Sequence, residues 1–119
     1  MFRSFNLTLP SGTNPINLWT LLVNAGFVDN LGNTLFTSGG SSGKKDGGIL
    51  NHQCQEVNIT VNSGTITVSD NWGAGGSGQS YTQGLGYTWR SARNTINLQD
   101  RVLTGAAGGE TLTLTVESV

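Results

Sequence analysis

The chain has 119 residues, 35% of them apolar and only 11% charged, with a formal net charge of −1. Six Lys and Arg residues scattered from Arg3 to Arg101 cannot build the basic stripe that neutralises nucleic-acid phosphates. No apolar run approaches the ~20 residues of a membrane-spanning helix, so neither nucleic acid nor membrane is an expected partner.

One cysteine, Cys54, excludes an intrachain disulfide. Stability must therefore come from packing and backbone hydrogen bonding. The opening residues, Met1 to Asn6, lack the apolar stretch of a secretory signal. The expected place of synthesis is a cytoplasm, and the two Asn-x-Thr matches at Asn6 and Asn58 are read as chance.

Phe5-Asn6-Leu7-Thr8-Leu9 alternates apolar and polar residues, as a half-buried strand does. Pro10, Ser11 and Gly12 end it. Next comes one short helix: Asn17 as N-cap, Leu18, Leu21, Leu22 and Ala25 at helical spacing, and Gly26 at the left-handed C′ position. A helix of two turns is marginal alone, so its leucine face must lie on a sheet. Phe27-Val28 is expected to resume an extended chain, and 34–37 reads as a further strand. Residues 38–48 form a first glycine-rich loop, since so many glycines would weaken any regular element.

The strongest pattern is a hairpin. Gln55, Val57, Ile59 and Val61 share one face, Asn62-Ser63-Gly64 makes the turn, and Ile66 and Val68 return facing inward. A second glycine-rich loop covers 71–84. Strands follow at 85–89 and 95–98, with a short bend from Leu98 to Leu103 and a turn from Gly105 to Gly109. The last strand, Thr111-Leu112-Thr113-Leu114-Thr115-Val116-Glu117, alternates strictly. Six to eight short strands with Thr-rich outer faces and Gly- and Asn-rich turns predict one mainly β domain over 1–119. The expected architecture is a small antiparallel β-sandwich or jelly roll carrying one short helix.

The candidate chemistry is thin. Gly39-Gly40-Ser41-Ser42-Gly43 matches the G-x-S-x-G pattern, but that motif works only as a sharp strand-to-helix turn. Here no helix follows. The run from Gly39 to Lys45 is one residue short of a phosphate loop and has Lys45 where Ser or Thr must bind Mg²⁺. His52 and Cys54 could share one side of a strand, yet a structural zinc site needs four ligands and the chain has no other His or Cys. Cys54 is read as a small buried hydrophobe. Most of the carboxylates lie beside turns or on outward strand positions, where they are normally solvated. No catalytic residue, metal or cofactor is expected.

The aromatics carry the only binding signal. Trp19 on the helix and Trp89 at a strand end read as core. Trp72, within a glycine-rich loop, either plugs that loop onto the domain, anchors a protein interface or stacks on a sugar. Together with Tyr81 and Tyr87 it forms the candidate interface set.

The order of the pieces is itself informative. Pro15-Ile16-Asn17-Leu18-Trp19-Thr20-Leu21-Leu22-Val23-Asn24-Ala25-Gly26-Phe27 precedes a segment running from Gln55 through Asn62-Ser63-Gly64-Thr65 to Asp70. Ile96-Asn97-Leu98-Gln99-Asp100-Arg101-Val102 and the closing strand from Glu110 to Glu117 complete it. This order resembles the small structural proteins of tailed bacteriophages that decorate the head or join the virion as minor components. It covers most of the chain outside the two glycine-rich loops. Two departures are visible: Ser69-Asp70 stands where the family has Gly-Asp, and the loop at 71–84 is longer. The resemblance implies a virion protein made in the host cytoplasm, bound in many copies to the major capsid protein or as a homo-oligomer, without enzyme activity. It brings no functional residues with it. The competing expectation is a carbohydrate- or receptor-binding β domain of a tail fibre or adhesin.

Overall fold

The computed structural model describes residues 2–34, 54–70, 78–91, 96 and 98–118. Among them run β1 (Phe2–Thr8), β2 (Ile16–Asn17), α1 (Leu18–Asn24), β3 (Cys54–Ser63), β4 (Thr65–Asp70), β5 (Gln79–Thr82) and β6 (Gly86–Arg90). A 3₁₀ turn at Leu98–Asp100 leads into β7 (Arg101–Gly105), and β8 (Thr111–Ser118) closes the chain.

The pairing is nested. The first strand pairs with the last, the second with the seventh, the third with the sixth and the fourth with the fifth, all antiparallel. Two further ladders, β3 with β8 and β4 with β7, roll this long hairpin into two four-stranded sheets. Sheet one has the order β1-β8-β3-β6 and sheet two β2-β7-β4-β5. This wrapping of eight strands is the jelly roll.

Alternation decides what fills the space between the sheets. Phe5, Leu7, Val57, Ile59, Val61, Leu112, Leu114 and Val116 point in from sheet one, and Ile66, Val68 and Leu103 from sheet two. The outer face of sheet one is a lattice of hydroxyls and amides that bond to one another. Asn62 donates to Thr113, Thr113 to Asn6 at 3.1 Å, and Thr88 to Asn58 at 2.7 Å. Short polar side chains on a solvated sheet face thus satisfy one another across strands.

The helix forms as the sequence predicts. Asn17 Oδ1 accepts the Thr20 N–H at 2.8 Å. At the other end the N–H of Gly26, with φ of 71°, meets the Val23 carbonyl, and that of Phe27 meets the Leu22 carbonyl at 3.0 Å. That pair of bonds is a Schellman cap. Leu18, Trp19, Leu21 and Leu22 are buried, and the helix packs on the 3₁₀ turn and β7.

Several local expectations are corrected. The first concerns the hairpin at 55–68. β3 and β4 do not pair with each other; they belong to opposite sheets, and the chain turns a corner between them at Gly64, φ 78°. Ile59 and Ile66 face inward as expected, but toward each other's sheet.

Second, Gln55 does not share the inward face. A register shift between Cys54 and Glu56 makes it the extra residue of a bulge, exposed, while Cys54 and Val57 both turn inward. Third, Phe27 is not extended. It has φ of 59° and its ring packs on Trp19 with centroids 5.2 Å apart.

Fourth, the loop expected over 71–84 contains β5, and of the segment expected as a strand over 95–98 the described residues are Ile96, bridged to Cys54, and Leu98, which begins the 3₁₀ turn. Last, Asp29 and Glu110 are buried rather than solvated. The glycine-rich loop at 38–48, Ser41 and His52 lie outside the described residues, as does all but Thr34 of the strand expected at 34–37.

Candidate functional site

Tyr81 and Tyr87, two of the three aromatics singled out by sequence, come together; Trp72 lies outside the described residues. Register explains the meeting. Tyr81 stands opposite Ile66 and Tyr87 opposite Ile59, so both share the inward faces of those core residues. They sit on β5 and β6, which are the edge strands on the same side of the two sheets. The two rings therefore close that side of the sandwich, edge to face, with centroids 6.3 Å apart and planes at 80°.

Two further residues belong to this seam and were missed. Trp89, opposite Val57, was expected in the core but is half-buried. Arg101 shares the face of Leu103 on β7 and reaches across from sheet two to sheet one. Its guanidinium carbon lies 3.9 Å from the Trp89 ring centroid, and its Nε donates to Tyr87 Oη at 3.0 Å. Arg101 Nη1 also donates to the Asp100 carbonyl at 3.1 Å. Period-2 counting from Leu103 would have placed Arg101 inward, had β7 been recognised as a strand from its first residue.

The seam is largely self-satisfied. One face of Trp89 is covered by a cation, the tyrosines meet edge to face, and Tyr81 Oη donates to Gln79 Oε1 at 3.1 Å. Arranged this way, the rings offer no coplanar platform for a stacked sugar.

A second place was not visible in the sequence. At the other edge of sheet one, the turn after Val28 folds back against β1 and leaves a groove of about 660 Å³. Its floor is an ion pair, Arg3 Nη1 to Asp29 Oδ2 at 3.2 Å. Asp29 Oδ1 also accepts the N–H groups of Leu31 at 2.9 Å and Asn33 at 2.8 Å, so the carboxylate organises its own turn. The Asn33 N–H, helped by the Arg3 guanidinium and the Leu31 N–H, holds this carboxyl below its ordinary pKa, although burial opposes the shift. Arg3 Nε is buried with no acceptor among the described residues.

Phe2, 49% exposed, and Leu31, 85% exposed, line this groove, and Val28, bridged to Thr34, is 45% exposed. These are three of the four large exposed apolar side chains among the described residues; the fourth, Leu85, sits at the β5–β6 turn. Singly exposed apolar residues are ordinary on a protein surface.

Glu110 and Cys54 are built into the scaffold. Glu110 Oε2 accepts the N–H groups of Ala107 at 2.7 Å and Gly108 at 3.2 Å. The Ala107 N–H is the main cause of a lowered pKa, against the opposing effect of burial. Cys54 is buried, and burial pushes its thiol up to about 12. Among the described residues no three His, Cys, Asp or Glu side chains are placed to hold a metal ion, and no helix is long and apolar enough to cross a membrane. Comparison with protein-family models, curated proteins and solved structures finds no match for this chain.

Proposed function

We propose that this chain is a non-enzymatic structural domain that packs against other proteins in a larger assembly. In its specific form the proposal is a tailed-phage virion protein, a capsid decoration or minor head component. It would be made in the host cytoplasm and bound in many copies to the major capsid protein, with no cofactor. The observation that carries the reading is that Phe2 and Leu31, two of the four exposed large apolar side chains among the described residues, line one groove whose other lining residues are polar or charged. Apolar anchors around a pocket, ringed by polar residues, are how protein interfaces concentrate their binding energy. The jelly roll supports the virion form by analogy alone, because capsid domains use this architecture, as do lectins and cupins.

The alternative, a carbohydrate- or receptor-binding domain of a tail fibre or adhesin, would need aromatic faces free for stacking. The seam turns its faces toward one another and toward Arg101. That geometry favours protein packing over sugar binding. Quantitative mass spectrometry of purified virions from cultures producing this chain tests the proposal. Many copies per particle are expected, and absence from the particles would overturn the virion reading.

A further inference from the structure

We infer that the groove beside β1 receives an extended, uncharged segment of a partner protein, which adds as a strand to the β1 edge of sheet one. This deepens the reading of the chain as an assembly protein and rests on it. In an antiparallel ladder each residue aims its N–H and C=O at the same side. Ser4 C=O accepts the Asn30 N–H at 2.8 Å, and Asn6 N–H donates to Asn30 Oδ1 at 2.8 Å, both away from β8. Even-numbered residues of β1, Phe2 among them, therefore face the edge that no described strand covers. Asn30 already plays the part of a partner strand over Ser4 and Asn6. Toward Phe2 the same edge opens into the groove.

Three features state what the occupant must be. Main-chain groups at a sheet edge are matched by another extended chain, the mode known as β-strand addition. The charges on the floor, Arg3 and Asp29, neutralise each other, so a charged segment gains nothing there. Phe2 and Leu31 on the rims suit apolar side chains at alternate positions of the incoming strand.

The test uses assembled particles. A photocrosslinking residue is placed at Leu31 and, separately, at Leu85, two highly exposed positions. Adducts from position 31 should map to one extended, uncharged stretch of a partner, with none from position 85. In parallel, Ser4→Pro removes an N–H that faces only the free edge, and Leu31→Asp places a charge at the rim. Each should lower incorporation by about tenfold or more, whereas Leu85→Asp should not. Normal incorporation of folded Leu31→Asp protein, or adducts from position 85 and not 31, would overturn the inference while leaving the assembly role intact. Absence of the chain from particles would overturn both.

Discussion

Ile59 and Ile66 stand on either side of a single turn and point into one core from opposite sheets. Both are essentially unexposed, so each removes a full side chain from water. Ile59→Ala and Ile66→Ala should each cost about 2–5 kcal/mol by denaturant unfolding. Thr60→Ala, on the exposed face, should cost under ~0.5 kcal/mol. Equal losses at 59 and 60 would contradict the register.

The corner between those two residues depends on Gly64. Its φ is 78°, and a Cβ there would lie 2.5 Å from Glu110 Cγ. Gly64→Ala should therefore destabilise by more than the ~1 kcal/mol of left-handed strain alone. Pairing it with Glu110→Ala removes the clash, so the double variant should lose less than the sum of the single losses. Strict additivity in urea melts would contradict this contact.

Acid should unfold the protein through Asp29 and Glu110, the two carboxylates buried among the described residues. Both Asp29 and Glu110 are held below their ordinary values of 3.8 and 4.5. The unfolded state thus binds protons first as pH falls. Their contribution is complete above the ordinary carboxylate range and is lost as pH drops through it toward the lowered folded values. Urea midpoints should hold steady near neutrality and decline below about pH 4.5. Asp29→Asn should be weaker at neutral pH but show a shallower acid decline; an unchanged slope would show that Asp29 does not couple folding to pH.

Arg101 ties the two sheets through Trp89 and Tyr87. Arg101→Lys keeps the charge but loses the planar stacking surface and the fixed donor geometry. The expected cost is about 1–2 kcal/mol, the sum of a cation–π contact and one hydrogen bond. Tyr87→Phe in the Arg101→Lys background should then cost less than in the parent, as a double-mutant cycle on unfolding would reveal.

Cys54 should be inert while the domain is folded. With its thiol pushed up to about 12 by burial, it remains protonated in mildly alkaline buffer, and only the thiolate reacts with alkylating agents. Iodoacetamide should label it at the rate of global unfolding, and reductant or chelator should leave the melting temperature unchanged. Prompt labelling of native protein would mean that the β3 end opens locally.

The period-2 alternation of Val57-Ile59-Val61 and Leu112-Leu114-Val116, with Asn17 and Gly26 bracketing a leucine face, determined the strands, the short helix and the identity of most core residues. Those features are local, because a strand's two faces and a helix's two caps follow from the order of neighbouring side chains. Only the tertiary structure decided which strands pair. The turn at 62–64 serves a hairpin or a corner between sheets equally well, and the choice lies with β6 and β8, which occupy both edges of β3 and leave none for β4. The docking groove was invisible for the same reason: Arg3 and Asp29 are far apart in the chain, and only the fold-back of 28–34 onto β1 brings them into contact. A solvated carboxylate beside a turn and a buried one that organises the turn read alike in sequence. What separates them is whether another element comes to cover the site, and that depends on the whole chain.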